Sequence, residues 1–138
     1  MSVQKLGKPG EDIVARFAKK ARYVVHLEMA YDVVDELASS PERYLESMYK
    51  LSRLATKVLN DVQKRLDRMG QGDRGKPPLD SVKRSLESWA PVQEEFIRYL
   101  QSLDKEALRS EVKRFAALAV APSRRVSEAK EELTKKEE

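Results

Sequence analysis

In residues 41–69 the apolar positions Met48, Leu51, Ala55, Val58, Val62, Leu66 and Met69 step by three and four. That spacing lines one face of an α-helix for about eight turns at ~3.6 residues per turn. Residues 11–38 keep the same rhythm: Ile13, Phe17, Val24, Tyr31 and Ala38 lie along one side, and from Tyr23 to Val34 apolar residues spread around most of the circumference. The pattern predicts one continuous helix over 11–38 and a second over 41–69. A helix that is apolar all round is either central or covered again by a partner chain, so self-association is expected.

The punctuation between these stretches sets the architecture. Ser39-Ser40-Pro41-Glu42 reads as a stop and a restart, with Ser40 capping the second helix and Pro41 at its first position. So short a break folds the two helices into an antiparallel hairpin. Gly70 suits the end of the second helix because it tolerates φ > 0, and Gly70 to Pro78 reads as an exposed, mobile loop. A third helical region begins near Leu79 or Asp80, with Leu79, Val82, Leu86 and Trp89 in register and Val92, Phe96, Tyr99 and Leu103 beyond Pro91. Pro91 removes a backbone donor and crowds the preceding turn, which predicts a kink or two short helices meeting. Asp104 caps a fourth helix carrying Leu108, Val112, Phe115 and Ala119, and Pro122 limits it.

The expected fold class is therefore all-α: an antiparallel helical bundle forming one domain over 1–122. It has two long helices in a hairpin, a Pro-kinked third and a shorter fourth. Residues 1–10 read as a loose arm, after which Glu11 and Asp12 place negative charge at a helix start. The tail over 123–138 has five basic and five acidic residues and only Val126, Ala129 and Leu133 as apolar anchors. It is expected to be a solvated helix or disordered. No alternating run bounded by turns suggests a strand.

Composition narrows the function classes. A chain of 138 residues with 41% apolar and 36% charged side chains makes a core under a densely charged surface. There is no Cys, which excludes disulfide scaffolds, thiolate zinc sites and cysteine catalysis. The short polar start and the lack of any run near ~18 apolar residues give no secretory signal or membrane helix; a cytoplasmic protein with no membrane partner is expected. One Asn and five Gln against abundant Lys, Arg and Glu is a balance common in proteins from hot environments.

No residue set assembles into catalytic chemistry. His26 is the only histidine, and catalysis by one His needs an orienting carboxylate and a nucleophile. Arg22 and His26 have three residues between them, against four to six in the Arg-to-His motif of helical ribonucleases of the HEPN type, so that match fails. A partly buried structural His is the expected reading. Glu28, Asp32 and Asp35 share a helical face at i, i+4 and i+7 and could hold a hard cation, but no Glu-x-x-His segment accompanies them. Ion pairing with a neighbouring helix is favoured for them. Trp89 and Phe96 are expected in the core, with Tyr99 left between core and a contact site. No cofactor and no enzyme activity are expected.

The charge distribution is more informative. Residues 41–76 carry nine basic and five acidic side chains, so the net charge of +4 comes entirely from the second helix and its following loop. Lys50, Arg53, Lys57, Lys64 and Arg68 recur at helical intervals opposite the Leu51–Val58–Val62 face, with Asn60 in the gap, and the loop adds Arg74 and Lys76. Such a stripe can track phosphates or can be a solvated face, and it lacks interleaved aromatics for base stacking. The favoured function is a non-enzymatic helical scaffold or small subunit acting through protein–protein contact, as a homo-oligomer or with a protein partner. The alternative is a nucleic-acid-binding accessory protein using the stripe. By analogy alone, small basic helical subunits of RNA-guided defence complexes are one such class.

Overall fold

The computed structural model describes residues 12–135. The expected loose arm over 1–10, the contribution of Glu11 and the last three residues of the tail lie outside the described residues. Seven α-helices and one 3₁₀ turn, and no strand, are found among the described residues. They are α1 (Ile13–Leu27), α2 (Tyr31–Ser39), the 3₁₀ turn Pro41–Arg43, α3 (Tyr44–Asp67), α4 (Lys76–Glu87), α5 (Trp89–Gln101), α6 (Lys105–Ala119) and α7 (Arg124–Thr134).

The expected single helix over 11–38 is two helices. Met29 has φ 50°, and around it the Ala30 N–H donates to the Val25 carbonyl at 2.8 Å and the Met29 N–H to the His26 carbonyl at 3.4 Å. This is the paired C-terminal closure in which one left-handed residue ends a helix and satisfies its last carbonyls. Ala30 and Val25 are both buried. Periodicity overlooked the break because a Met, not a Gly or Asn, occupies the left-handed position and the apolar spacing continues across it. The break turns α2 away from α1, and Val24, Val25, Ala30 and Val34 are all buried within the chain. In the stretch from which self-association was expected, Tyr23, Leu27 and Val33 are half-buried, and Met29 and Tyr31 are exposed.

Other boundaries shift for local reasons. Ser40 does not cap with its side chain; its carbonyl accepts the Arg43 N–H at 2.9 Å, giving the 3₁₀ turn before α3. α3 ends at Asp67, and the left-handed glycine is Gly72 at φ 84°, not Gly70. α4 starts at Lys76, earlier than expected, because Pro77 and Pro78 fall in a first turn whose N–H groups need no partner. At Pro91 the second expected outcome holds: α4 and α5 meet at Ser88, with Pro91 in the first turn of α5. Asp104 accepts from the Ala107 N–H at 2.8 Å and caps α6.

α1 sits at the centre and packs against α6, α5, α3 and α7; α3 packs against α4 and α2. Phe17 of α1 is the hub. Its ring lies 4.8 Å from Trp89, 5.1 Å from Phe96 and 5.3 Å from Phe115, so both aromatics expected in the core are there. The tail expected to be solvated instead packs α7 against α4 and α1, burying Val126, Ala129 and Glu132. Glu132 pairs with Arg65 at 3.4 Å and Lys135 at 3.1 Å. A Cβ on Gly75 would overlap the Glu132 carboxylate, so glycine there lets the carboxylate in.

Tyr99 is half-buried and packs against the core. Its hydroxyl donates to Glu111 at 2.7 Å, and Arg114 bridges Glu111 at 3.0 Å and Asp12 at 3.3 Å. Asp12 also caps α1 through the Ala15 N–H at 2.9 Å. Burial pushes Asp12 up, but the Ala15 N–H and Arg114 hold it below its usual 3.8. Arg114 holds Glu111 below its usual 4.5, against burial and with help from Tyr99. Burial first and Glu111 second push Tyr99 up to about 12. Carboxylates with depressed values stabilise the fold above their unfolded values and lose that contribution as pH falls through the folded ones; a phenol with a raised value loses it as pH rises toward its folded value. The melting-temperature gap between wild type and Arg114→Met should therefore be open at neutral pH and close below about pH 4. A gap independent of acid would show that the network does not couple to folding.

Candidate functional site

The candidate face is the outer side of α3. Its core side, Leu51, Ala55, Val58 and Val62, is buried, which forces the residues between them outward. Lys50, Arg53, Lys57, Lys64 and Arg68 are exposed as one row. Arg74 is exposed in the loop after α3, and Lys76 is half-buried at the start of α4, beyond the end of that row.

The row is not uniformly cationic. Lys57 bonds Glu28 at 3.2 Å and Asp61 at 3.0 Å. The hydrogen bonds from Asp61 and Glu28 push its pKa up, so it stays charged but is locally overbalanced by two carboxylates. This divides the stripe. On one side Lys64, Arg65 and Arg68 line a cleft with Leu27, Glu28, Asp61, Leu133 and Thr134 where α1, α3 and α7 converge. On the other side Lys50, Arg53 and Lys57 rim a groove whose floor is Val33 of α2 and Leu54 of α3.

The expected lack of aromatics beside the stripe is corrected. Tyr49 is 64% exposed, and the Arg53 guanidinium lies 5.8 Å from its ring centroid, within cation–π range. Leu45, one turn earlier, is 51% exposed. Sequence could have shown this: Leu45, Tyr49 and Arg53 step by four and miss the Met48–Leu51–Ala55 face.

The three carboxylates considered for a cation do not converge. The break at Met29 separates Glu28 from Asp32 and Asp35, and no group of three metal-capable side chains occurs among the described residues. Glu28 pairs with Lys57 from the neighbouring helix. His26 is half-buried and holds helices together. Its Nε2 lies 3.1 Å from the Ala121 carbonyl and its Nδ1 2.7 Å from the Tyr31 hydroxyl. A carbonyl only accepts, so the neutral ring carries its proton on Nε2 and Nδ1 accepts from Tyr31. Arg22 donates to the Leu118 carbonyl at 2.7 Å. Both residues therefore tie α1 to the end of α6. No helix among the described residues is long and apolar enough to cross a membrane.

No family model matches the sequence, and no solved structure matches it. Among curated proteins, the CRISPR system associated protein Csa5 of Thermoproteus tenax is 40% identical over 120 residues, which cover 87% of this chain and 89% of that protein. Identity at that level, sustained over nearly the whole of both chains, shows the family: the chain belongs to the Csa5 family of CRISPR-system-associated proteins.

Proposed function

We propose that the chain is a non-enzymatic small subunit of a CRISPR-system assembly, held there by protein–protein contacts on the α3 face. The carrying observation is the surface itself: exposed Leu45 and Tyr49 beside an apolar groove rimmed by Lys50, Arg53 and Lys57. Apolar and aromatic side chains among cations are the composition of an interface. His26, Glu28 and the aromatic cluster are each engaged in holding the bundle. Membership in a CRISPR-associated family supplies the context. Affinity capture of the tagged chain from native lysate, with and without nuclease, tests the reading. Protein components of the CRISPR system should be retained after nuclease treatment. Their complete loss would overturn it.

The second reading, nucleic-acid contact by the stripe, is favoured by one observation: the whole net charge resides in 41–76 and its side chains on α3 face outward. CRISPR effector complexes hold their guide–target duplex in positively charged channels. Lys57 is engaged by carboxylates. Phosphate contacts from Lys50, Arg53 and Lys64 imply, on duplex DNA, a log–log salt slope of about −3, at ~0.9 per phosphate. Titration of the purified chain at several salt concentrations measures it, and no binding at low salt would remove this reading.

A further inference from the structure

The middle of the α3 stripe holds a shallow hollow. Arg53 and Lys64 stand at its two ends, with Thr56, Lys57, Asn60 and Asp61 between them. Three cations and the Asn60 amide are the donors that a phosphodiester accepts from. The central cation is the one that is held. Lys57 Nζ lies 3.0 Å from Asp61 Oδ2, one turn along α3, and 3.2 Å from Glu28 Oε2. Glu28 is the C-terminal cap of α1, so this second carboxylate reaches the stripe from another helix. One carboxylate at i+4 is an ordinary helix-surface pair and balances the lysine. With two, the spot carries net negative charge in the middle of the segment from which the whole net charge of the chain comes.

We propose that this hollow is a seat for a nucleic-acid phosphate that the chain's own carboxylates hold half closed: Glu28 and Asp61 compete with phosphate for Lys57 and so limit how strongly the stripe binds. The inference rests on the nucleic-acid reading of the stripe given above and names the residues that tune it. Two effects act together. Each carboxylate takes a Lys57 donor that a phosphate oxygen would otherwise use, and each repels the phosphate that approaches. Phosphate contact is left to the cations on either side, so the stripe grips at its ends and is slack at its centre. The Lys57 side chain is 57% exposed, and Asp61 is 45% exposed. Exposed ion pairs hold weakly, so the brake acts on binding far more than on folding, and it can be removed with the bundle intact.

Glu28→Gln with Asp61→Asn removes both charges and keeps both shapes, and circular dichroism should show unchanged helicity. The probe is a DNA oligonucleotide, single-stranded and duplex, titrated against the purified full chain at several salt concentrations. The double variant should bind about tenfold more tightly than wild type at ~50 mM salt, the counterion gain of one added contact. Its log–log salt slope should steepen by that contact, ~0.9 on duplex and ~0.7 on single strand. Lys57→Met should leave the wild-type slope where it was, because Lys57 is already engaged, and should take the added contact away from the double variant. An affinity gain without a steeper slope overturns the proposal, because a weaker repulsive field alone would produce it. A steeper slope that survives Lys57→Met overturns it as well, since another cation then makes the contact. If the wild type binds and the double variant binds no differently, only the brake falls and the nucleic-acid reading stands. If the wild type does not bind at low salt, that reading falls and this inference with it.

Discussion

Leu51→Asp and Val58→Asp are each expected to leave the chain unfolded at room temperature. Leu51 is 0% and Val58 1% exposed, in the middle of the α3 face that packs on α1 and α4. Truncating a buried leucine costs ~2–5 kcal/mol through lost burial and the residual cavity. An aspartate adds a carboxylate with no partner, which must be desolvated or protonated at a further cost of several kcal/mol. The sum approaches the ~5–15 kcal/mol that holds a domain of this kind together. Far-ultraviolet circular dichroism should show the helical signal lost at 25 °C. Asn60→Asp, exposed on the opposite side of the same helix, should change stability by no more than about 0.5 kcal/mol. A folded, cooperatively melting Leu51→Asp variant would mean that α3 does not face the core as described.

Phe17→Ala should be the most damaging truncation that still permits folding. Phe17 touches Trp89, Phe96 and Phe115 with ring centroids 4.8–5.3 Å away, so one side chain joins α1, α5 and α6. Its removal costs ~3–5 kcal/mol, with part of the aromatic pair energy of ~0.5–1.5 kcal/mol per contact included. For a chain of this length that is a fall of roughly 10–20 °C in melting temperature. Trp89 is the only tryptophan, and its emission reports whether the cluster has opened to water. Phe17→Leu keeps most of the volume and should cost much less, ~1.5 kcal/mol or below. Equal losses for alanine and leucine would show that ring geometry, not filled space, sets the stability.

The candidate face was half legible before folding. The outward cations of α3 follow from the inward Leu51–Val58–Val62 row at one angular period, so their exposure could be read directly. Two properties could not. Lys57 is engaged by Glu28 from α1, twenty-nine positions away, and no local pattern connects those residues. The groove exists only because the Met29 break lays α2 beside α3, bringing Val33 to Leu54. The charge stripe is a fact of one helix, whereas the groove is a fact of two.

The same division runs through the fold. Apolar spacing and local capping chemistry determined that the chain is helical, where α3 and α6 lie, that Asp104 begins α6, and that helices meet near Pro91. These depend on interactions within about four residues, which the sequence states explicitly. The tertiary structure decided the break at Met29, where a left-handed non-glycine is held by two backbone hydrogen bonds beside the buried Ala30. It also decided the docking of α7, whose few apolar anchors suffice because α4 and α1 present a prepared seat and Arg65 meets Glu132. In both places the local preference is weak, and the decision passes to contacts between residues far apart in the chain.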